Sequence, residues 1–134
     1  MKATAAILTS HVNSPRSGCR EQISRARRKL PREFYARPVL VVARDCIGKI
    51  LVHRTAEGVA AGRIVEAEAY RGPQDLAAHS ARGLTRRTAA MYGPPGHAYV
   101  FQLYGTCWAM NLVAGLEGEP HAVLIRALEP LRGL

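Results

Sequence analysis

A chain of 134 residues that is 48% hydrophobic can bury the core of one domain, which excludes a wholly disordered protein and leaves little room for a second domain. No segment approaches the roughly 20 apolar residues that span a bilayer, so no membrane partner is expected. Cys19, Cys46 and Cys107 are odd in number, far apart and without a Cys-x-x-Cys pair, so neither a disulfide framework nor a zinc site is expected. The net charge of +9 has the sign of a nucleic-acid binder, but residues 1–32 hold eight Lys or Arg against one acid, and residues 33–134 hold eleven against nine.

The basicity therefore belongs to a leader, residues 1–30. It is rich in Arg and Ser, poor in acids and without a periodic apolar face, and it is predicted to be disordered. A nucleic-acid-binding arm, a transit peptide and upstream sequence added by a generous start all fit it. Pro31 and Pro38 then bracket the entry to a single domain over residues 31–134. Val39, Val42, Ala43, Cys46 and Ile47 recur at helical spacing until Gly48. Ile50 to His53 reads as a short strand, Ala56-Glu57-Gly58 as a turn and Val59 to Tyr70 as a long strand, which together make a hairpin.

In that long strand Ile64, Glu66, Glu68 and Tyr70 fall at period two and are expected to share one face, leaving the small apolar face of Val65, Ala67 and Ala69 for the core. The strand stops at Gly72-Pro73, and His79 follows close by. An acid pair, a ring and an imidazole at a strand end can form a site, and they can equally be an ordinary wet face followed by a surface histidine. Residues 71–95 read as an irregular polar loop with Arg82, Arg86 and Arg87 close together. His97 to Tyr104 is an aromatic strand, Thr106 to Val113 an apolar one, and His121 to Leu128 the last. The class is α+β: a curved, mainly antiparallel sheet with short helices.

Asn111 and Arg126 are each embedded among apolar neighbours. Burying an amide or guanidinium unpaired costs several kcal/mol, so both need partners; Glu66 or Glu68 is the expected partner of Arg126.

The blocks RIVEAEAY-RGPQDLAAHS, MYGPPGHAYVFQLYGTCWAMN and VLIRALEP, in that order, closely resemble the alkyladenine (3-methyladenine) DNA glycosylases, which excise alkylated purines. The resemblance runs from about Leu30 onward and omits the leader. It implies that Glu68 is the general base that activates water and that Arg126 holds the water and backbone beside it. It implies that Tyr70 and His79 sandwich the flipped base with Phe101 closing the pocket, that Asn111 disfavours normal guanine, and that Tyr104 is the wedge filling the gap in the duplex. The implied partner is double-stranded DNA containing alkylated purines, bound by a monomer, with no metal and no cofactor. The implied location is the nucleoid-associated cytoplasm of a bacterium, or the nucleus or an organelle of a eukaryote.

The residue types suit that chemistry independently. A stacked base must be rotated out of the duplex, and an inserted ring recovers part of the lost stacking. Aromatic walls stack on a methylated cationic purine, and one carboxylate with one water can suffice against so good a leaving group. Lys2, Lys29 and Lys49 are the only amines besides the N-terminus and none lies in the motif blocks, which favours a monofunctional enzyme over a Schiff-base lyase. Tyr99, by period two, is expected on the face away from Tyr104, acting through stability. Two other readings are a glycoside hydrolase using Glu66 and Glu68, and an inactive fragment or non-catalytic nucleic-acid-binding module with Arg82, Arg86 and Arg87 on phosphates. In the family the domain continues past the last motif. A chain stopping at Leu134 is accordingly expected to leave its final strand without a partner, and to be weakly folded and of little activity.

Overall fold

The turn at residues 56–58 folds one strand back on the next, and this hairpin seeds the sheet. The computed structural model describes residues 6–9 and 29–133. Its strands are β1 (Ala6–Thr9), β2 (Ile50–Arg54), β3 (Val59–Tyr70), β4 (Ala98–Leu103), β5 (Cys107–Ala114) and β6 (His121–Arg132). Two helices, α1 (Arg32–Tyr35) and α2 (Val39–Cys46), precede the hairpin. All pairings are antiparallel in the order β1-β2-β3-β6-β5-β4, a curled sheet with short helices, as the α+β reading expects.

Pro38 opens α2, where its fixed φ and missing N–H cost nothing, and Val39, Val42, Ala43 and Cys46 turn inward. Ile47 does not follow them: it lies just past the helix and is exposed. Gly48, at φ +81°, turns the chain so that its N–H reaches the Ile64 carbonyl at 2.8 Å, and the Ile64 N–H returns to Lys49 at 2.9 Å. The helix is thereby fixed to β3. The main core joins Tyr35, Val42 and Cys46 to Leu51, Ile64, Leu112 and Val123. Burial pushes the Cys46 thiol up to about 12, marking it as an unreactive packing residue.

Adjacent cross-strand pairs divide the sheet. Leu112 with Val123 belongs to this core, whereas Val113 with Ala122 belongs to a second cluster with Met91 and Tyr99. Alternation along both strands puts the clusters on opposite faces.

Several expectations need correction. Ile64 does not share a face with Glu66, Glu68 and Tyr70; it packs in the main core together with Ala67 and Ala69, while Val65 is exposed. The cause is irregular β3–β6 pairing between Ile64, Glu66 and Ala67, which reverses which face looks inward. The final strand has a partner on each side, since β6 lies between β3 and β5, and it continues through Pro130. β5 pairs β6 only as far as Ile125, so beyond it one edge of β6 is open and a residue without an N–H is tolerated. Residues 71–95 are not uniformly irregular: short 3₁₀ turns at Gly72–Gln74, His79–Arg82 and Ala89–Tyr92 bury Ala78, Ser80, Thr88 and Met91. Within the leader, Ala6–Thr9 pairs along β2, whose open edge offers unpaired backbone groups; residues 1–5 and 10–28, on which the rest of the disorder expectation falls, lie outside the described residues.

Candidate active site

A row crosses the sheet on the second face. Glu68 of β3 pairs with Leu124 of β6, Leu124 with Asn111 of β5, and Asn111 with Tyr99 of β4. Side chains in one such row point the same way. Tyr70 and Phe101 are two residues along from Glu68 and Tyr99, so they join that face. The 3₁₀ turn His79–Arg82 is held down by Ser80, whose hydroxyl donates to the Pro120 carbonyl at 3.1 Å, and it lowers His79 onto the row from above.

The result is a small pocket lined by Tyr70, Ala77, His79, Met91, Tyr99, Phe101, Asn111, Ala122 and Leu124. Its volume is about 60 Å³, well below the roughly 300 Å³ of typical ligand sites, so a bicyclic guest must part the rings. The His79 and Phe101 rings lie 4.4 Å apart at 59°, and Tyr99 and Phe101 lie 5.3 Å apart at 37°. The Tyr99 hydroxyl meets His79 Nδ1 at 3.1 Å. Buried Asn111 donates from Nδ2 to the Tyr99 carbonyl at 3.3 Å, so Tyr99 orients both His79 and Asn111.

Glu68 stands at the rim with both oxygens engaged. Tyr70 donates its hydroxyl to Oε2 at 2.6 Å, and Arg126 approaches Oε1 at 3.2 Å. Donating that bond to Glu68 is the main reason the Tyr70 hydroxyl is pushed up to about 12, with burial adding to it. Arg126 was expected among apolar neighbours, yet its side chain is 59% exposed, because the strand irregularity turns it outward. As an exposed pair it contributes about 1 kcal/mol or less, and its effect is to aim a carboxylate rather than to stabilise a core. His79 is held below its ordinary value, first by burial and then by the Arg87 guanidinium, so the imidazole favours its neutral form.

The structure thus brings Glu68, Tyr70, His79, Phe101, Asn111 and Arg126 together. Tyr104 stands apart. It lies beyond β4, in the turn whose Thr106 N–H returns to the Leu103 carbonyl at 3.2 Å, and it is 93% exposed with φ +52°. Glu66 is exposed and contributes nothing to the pocket, so the paired-carboxylate reading has no cleft around it. Tyr99 was missed as a site residue, although period two already places it with Phe101; comparing it with Tyr104 concealed this, because Tyr104 is not in the strand.

A larger cleft of about 650 Å³ lies elsewhere, between Leu40 and Leu116. Its acid, Glu119, accepts the Leu116 N–H at 3.0 Å and lies 3.8 Å from His121, which makes it a turn clamp. Among the described residues no three His, Cys, Asp or Glu side chains gather closely enough to hold a metal ion, and no helix is long and apolar enough to cross a membrane.

A sequence profile described as methylpurine-DNA glycosylase matches residues 33–134. A candidate 3-methyladenine DNA glycosylase of Anaeromyxobacter sp. (strain Fw109-5) is 58% identical over 105 residues, which cover 78% of this chain and 54% of that protein. A similarly named protein of Legionella pneumophila (strain Corby) is 53% identical over 107 residues, covering 80% of this chain and 58% of that protein. Another, of Clostridium acetobutylicum, is 53% identical over 107 residues, with 79% and 52% covered. The chain spans about half the length of the curated relatives it matches.

Proposed function

We propose, from the premise that this chain belongs to the methylpurine-DNA glycosylase family, that its sheet carries the base pocket and water-activating carboxylate of an excision-repair N-glycosylase. The substrate is double-stranded DNA containing an alkylated purine, of the kind named in its relatives, bound by a single copy of the protein. Its place of work is wherever that DNA lies: the nucleoid-bearing cytoplasm of a bacterium, or the nucleus or an organelle of a eukaryote.

One observation carries the reading: a carboxylate with both oxygens fixed, Oε2 by Tyr70 and Oε1 by Arg126, at the rim of a pocket walled by His79, Tyr99 and Phe101. A flipped purine enters between Tyr70 on one side and His79 with Phe101 on the other, and Tyr104 takes its place in the stack. Glu68 accepts a proton from water as the water oxygen bonds to the sugar carbon; the carbon–nitrogen bond breaks, and its electron pair leaves with the base. The negative charge also stabilises the cationic sugar as it forms. Asn111, held by the Tyr99 carbonyl, faces the edge of the base and opposes the exocyclic amine of guanine.

Replacing Glu68 by Gln keeps the shape and removes the base. Single-turnover release of an alkylated purine should fall by at least about 100-fold, while binding to a duplex with an abasic-site analogue persists. Equal release by Glu68→Gln and the parent would end the proposal.

A further inference from the structure

Tyr70 belongs to two groups at once. Its ring lines the pocket, and its hydroxyl donates to Glu68 Oε2 at 2.6 Å. The other rings of that pocket brace one another: His79, Tyr99 and Phe101 pack with centroids 4.4 Å, 5.3 Å and 6.2 Å apart, and the Tyr99 hydroxyl meets His79 Nδ1 at 3.1 Å. Tyr70 has no such bracing. Among the described residues its ring meets no other ring, and the bond to Glu68 is the one hydrogen bond its side chain makes. It is also the last residue of β3, half-buried, where the chain leaves the sheet for the turn at Gly72.

At about 60 Å³ the pocket has room for a few water molecules and not for a purine. A base enters only when a wall withdraws, and the wall with least to hold it is Tyr70. That withdrawal also ends a bond, because an oxygen–oxygen contact of 2.6 Å stretched by about 1 Å is no longer a hydrogen bond. Opening the pocket and releasing Glu68 Oε2 are therefore one movement. Arg126, on Oε1, does not line the pocket, so the carboxylate keeps its aim while Tyr70 moves.

We propose that the Tyr70 hydroxyl is a specificity latch: bound to Glu68 it holds the pocket shut and Oε2 occupied, and only a base whose stacking outweighs that bond opens the wall and frees Oε2 for water. The proposal rests on the glycosylase reading and deepens it. A methylated, cationic purine is favoured by such a latch, since it is drawn both to the tyrosine ring and to the Glu68 carboxylate, whereas an undamaged base has only its stacking. Tyr70 is then more than a stacking surface, because its hydroxyl couples capture of the base to readiness of the water site.

Anisotropy titrations of the 134-residue chain test this with duplexes carrying an abasic-site analogue, no lesion, or 3-deaza-3-methyladenine. The last is an uncharged copy of 3-methyladenine that resists hydrolysis and leaves attraction to Glu68 out of the comparison. Tyr70→Phe keeps the ring and removes the latch, so it should bind the lesion duplex roughly three- to ten-fold more tightly, the range expected when one hydrogen bond no longer has to be broken. The abasic duplex, with no base to admit, should show no such gain. In a Glu68→Ala background, where the hydroxyl has no carboxylate to hold, the gain should vanish. A gain that persists there, or that is equal on all three duplexes, would trace the effect to the more apolar ring and overturn the proposal. Equal or weaker binding of the lesion by Tyr70→Phe would also overturn it, because the hydroxyl would then remain in use after the base is in. If the parent binds the lesion duplex no better than the undamaged one, the glycosylase reading falls first and this inference falls with it.

Discussion

Tyr99 is where the residue scale matters most, because three bonds of different kind converge on it: its hydroxyl to His79, its carbonyl from Asn111 and its ring beside Phe101. Tyr99→Phe removes only the first. Stability should fall by about 0.5–1.5 kcal/mol, the net worth of one hydrogen bond, while base release falls further, because His79 loses the group that fixes its ring. Chemical denaturation and single-turnover release on the same variant separate the two effects, and a loss of release no larger than the loss of stability accounts for would contradict the orienting role. His79 also gives a pH dependence. Its folded value lies below the ordinary 6.5, so its contribution to stability is present above pH 6.5 and is lost as pH falls through the lowered value. Midpoints measured from pH 7 downward should decline less steeply in His79→Gln than in the parent; parallel curves would remove His79 as the cause.

At the scale of elements, β3 is both the most legible part of the sequence and the least. Its ends, Val59 and Tyr70, and the turn before it are visible because alternation and Gly58 are local signals. The same holds for α2, whose Val39, Val42, Ala43 and Cys46 repeat at helical spacing. The change of face after Ile64 is not visible, because the irregularity arises in pairing with β6, a strand some sixty residues away along the chain, and period two in the sequence continues through it unbroken. Arg126 was misread for the same reason: its neighbours in sequence are apolar, but its orientation is set by β3. Phe101, Asn111 and Glu68 were grouped only by the family resemblance; their common face follows from strand pairing, and the descent of His79 onto it depends on Ser80 and Pro120, which no local pattern connects. The close β3–β6 contact has a checkable consequence at Gly62. A Cβ there would lie 2.9 Å from the Leu128 Cβ and 3.2 Å from the Glu129 carbonyl oxygen, so Gly62→Val should destabilise by about 1–3 kcal/mol, as overpacking does. An unchanged denaturation midpoint would mean that the two strands are farther apart than described.

Across the whole molecule, the sheet separates two tasks, with the helices and the main core on one face and the pocket on the other. The hairpin tip between β4 and β5 belongs to neither. Tyr104 and Gly105 both have positive φ, at 52° and 73°, the pattern of a primed turn in which Asn-Gly is the favoured pair. A tyrosine in that first position costs about 1–2 kcal/mol relative to glycine, and its fully exposed ring recovers nothing from packing. On the proposed wedge role of Tyr104, thermal endurance and base extrusion pull this position in opposite directions. Selection for heat resistance alone should replace Tyr104 by Gly or Asn and yield a hardier protein that, on that proposal, extrudes bases poorly. A lineage that keeps the ring would accept a lower melting point in return for the tip that the proposal places in the duplex.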